Sequence, residues 1–200
     1  MRKTLFVFSL LLASCGMLAG QATPAAVAGA APAAAPALPT WRERVAEAMP
    51  LLGHRNMILV VDSAYPLQSA PGIETIETNA PQLEVLHHVL SVIDHSVHVR
   101  PLISMDAELP FVPELDAPGV TNYRTEVADI LRPYPIQSMP HEMLLGMVDK
   151  TSAHYNVLIL KTTMAVPYTS VFITLDCRYW GADAEKRMRA KMAAAGLVGH

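Results

Sequence analysis

The groups in this chain that could move protons begin with a Gly53-His54 pair. It precedes the apolar run Met57–Val61, and Asp62 follows that run directly. His54 falls between a helix and a strand, and Asp62 falls at the strand's carboxyl end. An imidazole and a carboxylate so placed could act as a proton donor and a hydroxyl acceptor. An extended span of eight residues separates such groups by up to roughly 26 Å, so they meet only if the chain folds back. A surface-loop histidine and a helix-capping aspartate remain the alternatives.

His141 has a second local argument. If Ser138 is the N-cap of a helix, His141 lies in the first turn, where the positive end of the helix dipole disfavours imidazolium. A neutral imidazole there can accept or pass a proton. The alternative is a solvated histidine at a helix start, with Glu142 compensating the dipole. Tyr168 follows Pro167 at the entrance of an apolar strand, a place where most tyrosines only pack. His87, His88, His95 and His98 cluster in sequence without a metal-ligand pattern. They read as helix-surface and turn histidines, and no metal site is expected. Met139, Met143, Met147 and Met164 read as core filler. Zinc spacings, glycine-rich phosphate loops and nucleophile elbows are missing from the sequence.

The elements that must position these groups follow from periodicity. Thr40 is a plausible N-cap for a helix over residues 41–52, closed by Gly53. Residues 57–61 (MILVV) read as a strand buried on both faces. Asn79 and Pro81 open a helix to about residue 94, with Leu83, Leu86, Leu90 and Ile93 on one face. Residues 98–104 read as a strand weakened by Pro101, and residues 108–120 as a loop. Further helices are expected over 121–131, from Ser138 to about residue 151, and over 183–195, where Gly196 ends the chain's last helix. Strands are expected over 155–161 and 171–176, with a proline-containing connection between them. This alternation, with apolar rather than alternating strands, predicts a three-layer α/β/α domain around a largely parallel central sheet. Ligands of such sheets sit at the carboxyl ends of the strands.

The first forty positions are of a different kind. Arg2 and Lys3 precede a short apolar run, so residues 1–22 read as a signal peptide. Leu12-Ala13-Ser14-Cys15 resembles a bacterial lipobox, which would make Cys15 an acylated first residue and a possible membrane tether. Cleavage near Ala22 is the competing route. Residues 23–39 form an Ala/Pro-rich linker, and residues 40–200 form the domain. The expected location is exported, either periplasmic or as a membrane-anchored lipoprotein facing away from the cytoplasm. Apart from Cys15 the chain holds one cysteine, Cys177, so no intramolecular disulfide is expected.

Composition narrows the function. Hydrophobic residues make up 52% of the chain and charged residues 16%, which excludes a disordered chain. Two of the 15 basic residues lie in the acid-free first forty positions, so the other 13 face 18 acidic ones and the body is net −5. That balance suits a small-molecule ligand and not nucleic acid, whose phosphates need clustered Lys and Arg.

Taken together, Gly53-His54, the strand, Asp62 and Pro66 resemble the opening motif of the D-ribose pyranase and L-fucose mutarotase family. His141-Glu142, a short helix, the strand near 155–161 and Pro167-Tyr168 resemble that family's carboxyl-terminal half. The resemblance spans residues 41–176. It implies a sugar-handling α/β domain, self-associated into a ring-like homo-oligomer with sites near subunit contacts, and no cofactor. By position, His54 would be the proton donor, Asp62 would bind sugar hydroxyls, and His141 and Tyr168 would complete the pocket. The implied reaction, an isomerisation, interconverts anomers or ring forms of a monosaccharide by acid–base catalysis. The family pattern of Tyr, any residue, then Asn is replaced here by Tyr168-Thr169-Ser170. Ser170 is shorter and lacks the amide's paired donor and acceptor, so it would reach a sugar hydroxyl only through water. The alternatives are a binding module for a sugar or related small molecule, without turnover, and a structural envelope protein of the same fold.

Overall fold

The computed structural model describes residues 38–197, so the signal peptide, Cys15 and most of the linker lie outside the described residues. Helix α1 (Trp41–Ala48) starts where Thr40 and Glu43 form a reciprocal capping box. Pro50 has no N–H to continue it, and residues Met49–Leu51 tighten into a 3-10 turn before Gly53.

The remaining helices and strands follow in the order β1 (Met57–Val61), β2 (Ile73–Glu77), α2 (Gln82–His95), β3 (Val99–Asp106), α3 (Val120–Leu131), β4 (Ile136–Met139), α4 (His141–Ser152), β5 (Val157–Lys161), β6 (Val171–Cys177) and α5 (Ala182–Ala194). The six strands form one sheet in the order β2-β5-β1-β6-β3-β4. The neighbours β2 and β5, β5 and β1, and β3 and β4 pair in parallel, whereas β6 is antiparallel to both β1 and β3. Five strands therefore share one direction, and the sheet is largely parallel.

Both faces are covered, which explains the continuous apolar run of β1. On one face Ile58, Val60, Ile103 and Ile173 pack with Val45 of α1, Val85, Leu86 and Val89 of α2, and Val120 and Val127 of α3. On the other face Leu144 and Val148 of α4 cover Met57, Leu59, Val61, Ile159 and Phe172. Each such fully buried side chain contributes roughly 1.5–3 kcal/mol of transfer free energy. Helix α5 buries none of its residues. Among the described residues no helix is long and apolar enough to cross a membrane.

Three expectations need correction. Ser138 does not cap α4: it lies in β4, opposite Met105 of β3. Two strands, β2 and β4, were not expected at all; both are edge strands. Met143 is not core, since it is 57% exposed. Pro101 is tolerated because β4 pairs with β3 only from Ile103 onward, leaving β3 a single neighbour at the proline.

Candidate functional site

The reversed strand β6 builds the site. Its first residue, Val171, is level with both Val60 of β1 and Met105 of β3. The segment leading into β6 therefore arrives where β1 and β3 end, beside Asp62 and Asp106. A cavity of about 470 Å³ opens there, lined by Asp62, Tyr65, His141, Leu145 and Tyr168 among others. That size falls within the usual range for small-molecule sites, about 300–1,000 Å³.

Asp62 is held on both oxygens. Oδ1 accepts the Ala64 N–H at 2.9 Å in a local turn, and Oδ2 accepts the Ser170 hydroxyl at 3.0 Å. Ser170 is itself buried, so it reaches the cavity through Asp62. The strand end is tied to the connection after β5, because Ser63 N–H donates to the Met164 carbonyl at 2.8 Å.

His141 is the first residue of α4. Pro140 precedes it and offers no side-chain cap. Glu108 takes that place from a distant loop, its carboxylate accepting the His141 N–H at 3.1 and 3.2 Å. The ring is held separately: Nδ1 lies 2.6 Å from Oδ1 of Asp106, whose side chain is fully buried while that of His141 is 32% exposed. Parallel pairing of Asp106 with Met139 brings the two residues together. Burial raises the Asp106 carboxyl above its ordinary value; the hydrogen bond and charge of His141 offset this only in part.

Tyr168 meets His141 edge-on, with ring centroids 5.5 Å apart and planes at 88°. Its backbone adopts φ +60°, a left-handed conformation that costs a non-glycine residue strain and needs external support. That support is the next residue. The buried Thr169 carbonyl accepts both Tyr123 Oη of α3 and Gln82 Nε2 of α2, each at 2.6 Å. Burial pushes the Tyr123 phenol far up, so it stays a donor. Tyr65, another buried wall of the cavity, is raised to about 12 by burial and then by Asp149, Asp62 and Asp106.

The structure thus brings Asp62, His141 and Tyr168 to one cavity, with Ser170 behind Asp62. It does not bring His54 there. His54 precedes β1, at the end of that strand opposite Asp62, and β1 alone spans about 17 Å. Its Nδ1 lies 3.1 Å from Oδ1 of Asp176 near the end of β6, and Arg100 donates twice to the other oxygen. Burial alone would raise Asp176, but the Arg100 hydrogen bond and charge, a backbone N–H and His54 bring it below its usual value.

Asp106 and Glu108 escaped the sequence reading. A buried aspartate ending an apolar strand was the available signal for Asp106. Of the four clustered histidines, His88 meets Trp41 edge-on, His95 bonds to Ser91, and His98 bonds to Ser96 and Leu52. The described residues contain no group of three or more His, Cys, Asp or Glu able to hold a metal ion.

Fold and site define an α/β domain with a small-molecule cavity at the carboxyl ends of its strands. Solved structures similar to this chain include Bacillus subtilis RbsD complexed with D-ribose, at 13% identity and a TM-score of 0.47, covering 66% of this chain and 89% of that one. FucU from Bifidobacterium longum is 11% identical with a TM-score of 0.44, over 66% and 92% of the two chains. A Streptococcus pneumoniae fucose mutarotase in complex with L-fucose is 14% identical with a TM-score of 0.43, over 64% and 87%. No family model and no curated protein matches the sequence.

Proposed function

We propose that this chain is an exported monosaccharide mutarotase- or pyranase-like protein that interconverts sugar anomers or ring forms by acid–base catalysis. The observation that carries the reading is the meeting of Asp62, His141 and Tyr168 on one cavity. These are three of the four residues that the motif resemblance names for the pocket, drawn from three separate parts of the chain; the fourth, His54, lies elsewhere in the same chain.

The chemistry needs little more. One group removes the proton of the anomeric hydroxyl while another protonates the ring oxygen. The bond from the anomeric carbon to the ring oxygen then breaks and leaves the open-chain aldehyde. Rotation and reclosure reverse the proton movements and give the other anomer. His141 is the acid–base group within the chain, and Asp62 accepts sugar hydroxyls. Ser170 keeps Asp62 in place, and Tyr168 offers a phenol and an aromatic wall. Positioned acid–base groups contribute about 10²–10⁴ in rate, which suits a reaction that already proceeds in water.

His54 serves as proton donor only from a second copy of the chain, in the ring-like homo-oligomer that the resemblance implies. Acylated Cys15 and the linker would hold that assembly at a membrane.

Saturation-transfer NMR of anomer exchange over a panel of monosaccharides tests the reading. Exchange faster than the buffer control is expected and should be lost in His141→Ala. No acceleration for any sugar would reject catalysis. A second reading, binding without turnover, is favoured by one observation: a single chain places only one of the two expected histidines at the cavity. Thermal stabilisation by a sugar without exchange would select it.

A further inference from the structure

Two carboxylates stand near the cavity, and their surroundings assign them different work. Asp62 has a donor on each oxygen, the Ala64 N–H and the Ser170 hydroxyl. Asp106 is different. Its Oδ1 meets only the imidazole of His141, and its buried Oδ2 finds no hydrogen-bond partner among the described residues. A fully buried carboxylate with a single neutral or cationic partner is a costly arrangement unless that partner completes it.

The backbone around the pair leaves little freedom. Asp106 ends β3, paired with Met139 of β4, and the Ala107 N–H donates to the Met139 carbonyl at 2.8 Å. His141 follows Met139 by two residues, with its own N–H held by Glu108. The imidazole is therefore fixed at its root by one acid, at Nδ1 by another, and along its edge by the Tyr168 ring.

We propose that Asp106 is a positioning residue that holds His141 in the Nδ1–H form, so that Nε2 is the nitrogen exchanging protons with a ligand in the cavity. The inference rests on the acid–base reading of His141. The opposite tautomer would set the Nδ1 lone pair against a carboxylate oxygen 2.6 Å away, two acceptors in contact. With Nδ1–H donated to Asp106, the Nε2 lone pair is free to take a proton from a ligand hydroxyl. The resulting imidazolium is stabilised by the same carboxylate, and returning the proton from Nε2 to a ligand oxygen restores the starting state. Asp106 itself keeps its charge throughout and touches no ligand.

The test uses full-length protein labelled with ¹⁵N in histidine. The His141 signals are assigned by their loss in His141→Gln. Read on the neutral ring, at a pH alkaline enough to remove the imidazolium signal, the wild type should show a pyrrole-type Nδ1 and a pyridine-type Nε2. Asp106→Asn should populate the opposite tautomer and lower the anomer-exchange kcat by roughly 10²-fold or more, with KM within about twofold. A pyridine-type Nδ1 in the wild type overturns the proposal, because Asp106 would then be a protonated donor. An Asp106→Asn variant that keeps the wild-type kcat also overturns it. The wild-type spectrum decides even if the variant does not fold. If no sugar is exchanged but Nδ1 carries the proton, the proposed activity fails while the positioning role of Asp106 stands.

Discussion

Ser170 Oγ and Asp62 Oδ2 lie 3.0 Å apart, joining the start of β6 to the end of β1. Ser170→Ala leaves Asp62 with the Ala64 N–H as its one donor. A stability loss of about 1 kcal/mol is expected by denaturant melting. Sugar-induced thermal stabilisation should weaken at the same time, because the carboxylate is freer to turn. An unchanged sugar response would mean that the Ala64 turn alone orients Asp62.

The buried Asp106 carboxyl gives the fold a pH signature. Burial raises it above its ordinary value, against the partial offset of His141. The folded chain thus holds this proton more tightly than the unfolded chain does. The resulting stability is fully present below the unfolded pKa of about 3.9, and it is lost as pH rises through the folded-state value. Asp106→Asn mimics the protonated form. Its thermal midpoint should match the wild type in acid and exceed it at neutral pH. A variant less stable at neutral pH would mean that the His141 hydrogen bond outweighs desolvation.

Tyr123 and Gln82 should prove coupled. Each donates to the Thr169 carbonyl, so either alone leaves that carbonyl with a partner. Tyr123→Phe should cost about 1 kcal/mol. Adding Gln82→Leu should cost more than the sum of the two single changes, because the carbonyl is then buried without a donor. Strict additivity in a double-mutant cycle would show that the two bonds are independent.

His54 and His141 sit at opposite ends of the sheet, which makes a complementation test possible. His54→Ala and His141→Ala chains should each lack exchange alone and regain it in mixed oligomers. Failure of the mixture, with both variants folded and associated, would remove His54 from the reaction.

Much of the fold was legible because burial on both faces writes long apolar runs. The strands β1, β5 and β6 are of that kind, and helix α2 was legible instead from the three- and four-residue spacing of its one buried face. Strand β2 (IETIE) has two glutamates and a threonine among its five residues, and β4 (IQSM) is an exposed edge; neither carries the apolar run that marks a central strand. Misreading β4 also misplaced the start of α4. Of the site, Asp62, His141 and Tyr168 were legible through the motif resemblance, since their environments are set by strand ends and helix starts. The pairing of Asp106 with His141 was not, because 35 positions separate them and only the β3–β4 register closes that gap. For His54 and Asp62 the opposite holds: they are neighbours in sequence, and the rigid strand between them keeps them apart.

The countercurrent strand β6 has its two ends committed to different tasks. Ser170 at the near end aligns the cavity carboxylate, and Asp176 at the far end anchors His54. A slip of one position would turn Val171, Ile173 and Leu175 out of their layer and Phe172 into it. The strand therefore works as a fixed ruler: no shift can tune one rim of the sheet without breaking the other, and adaptation to a new ligand is left to the segment before Val171.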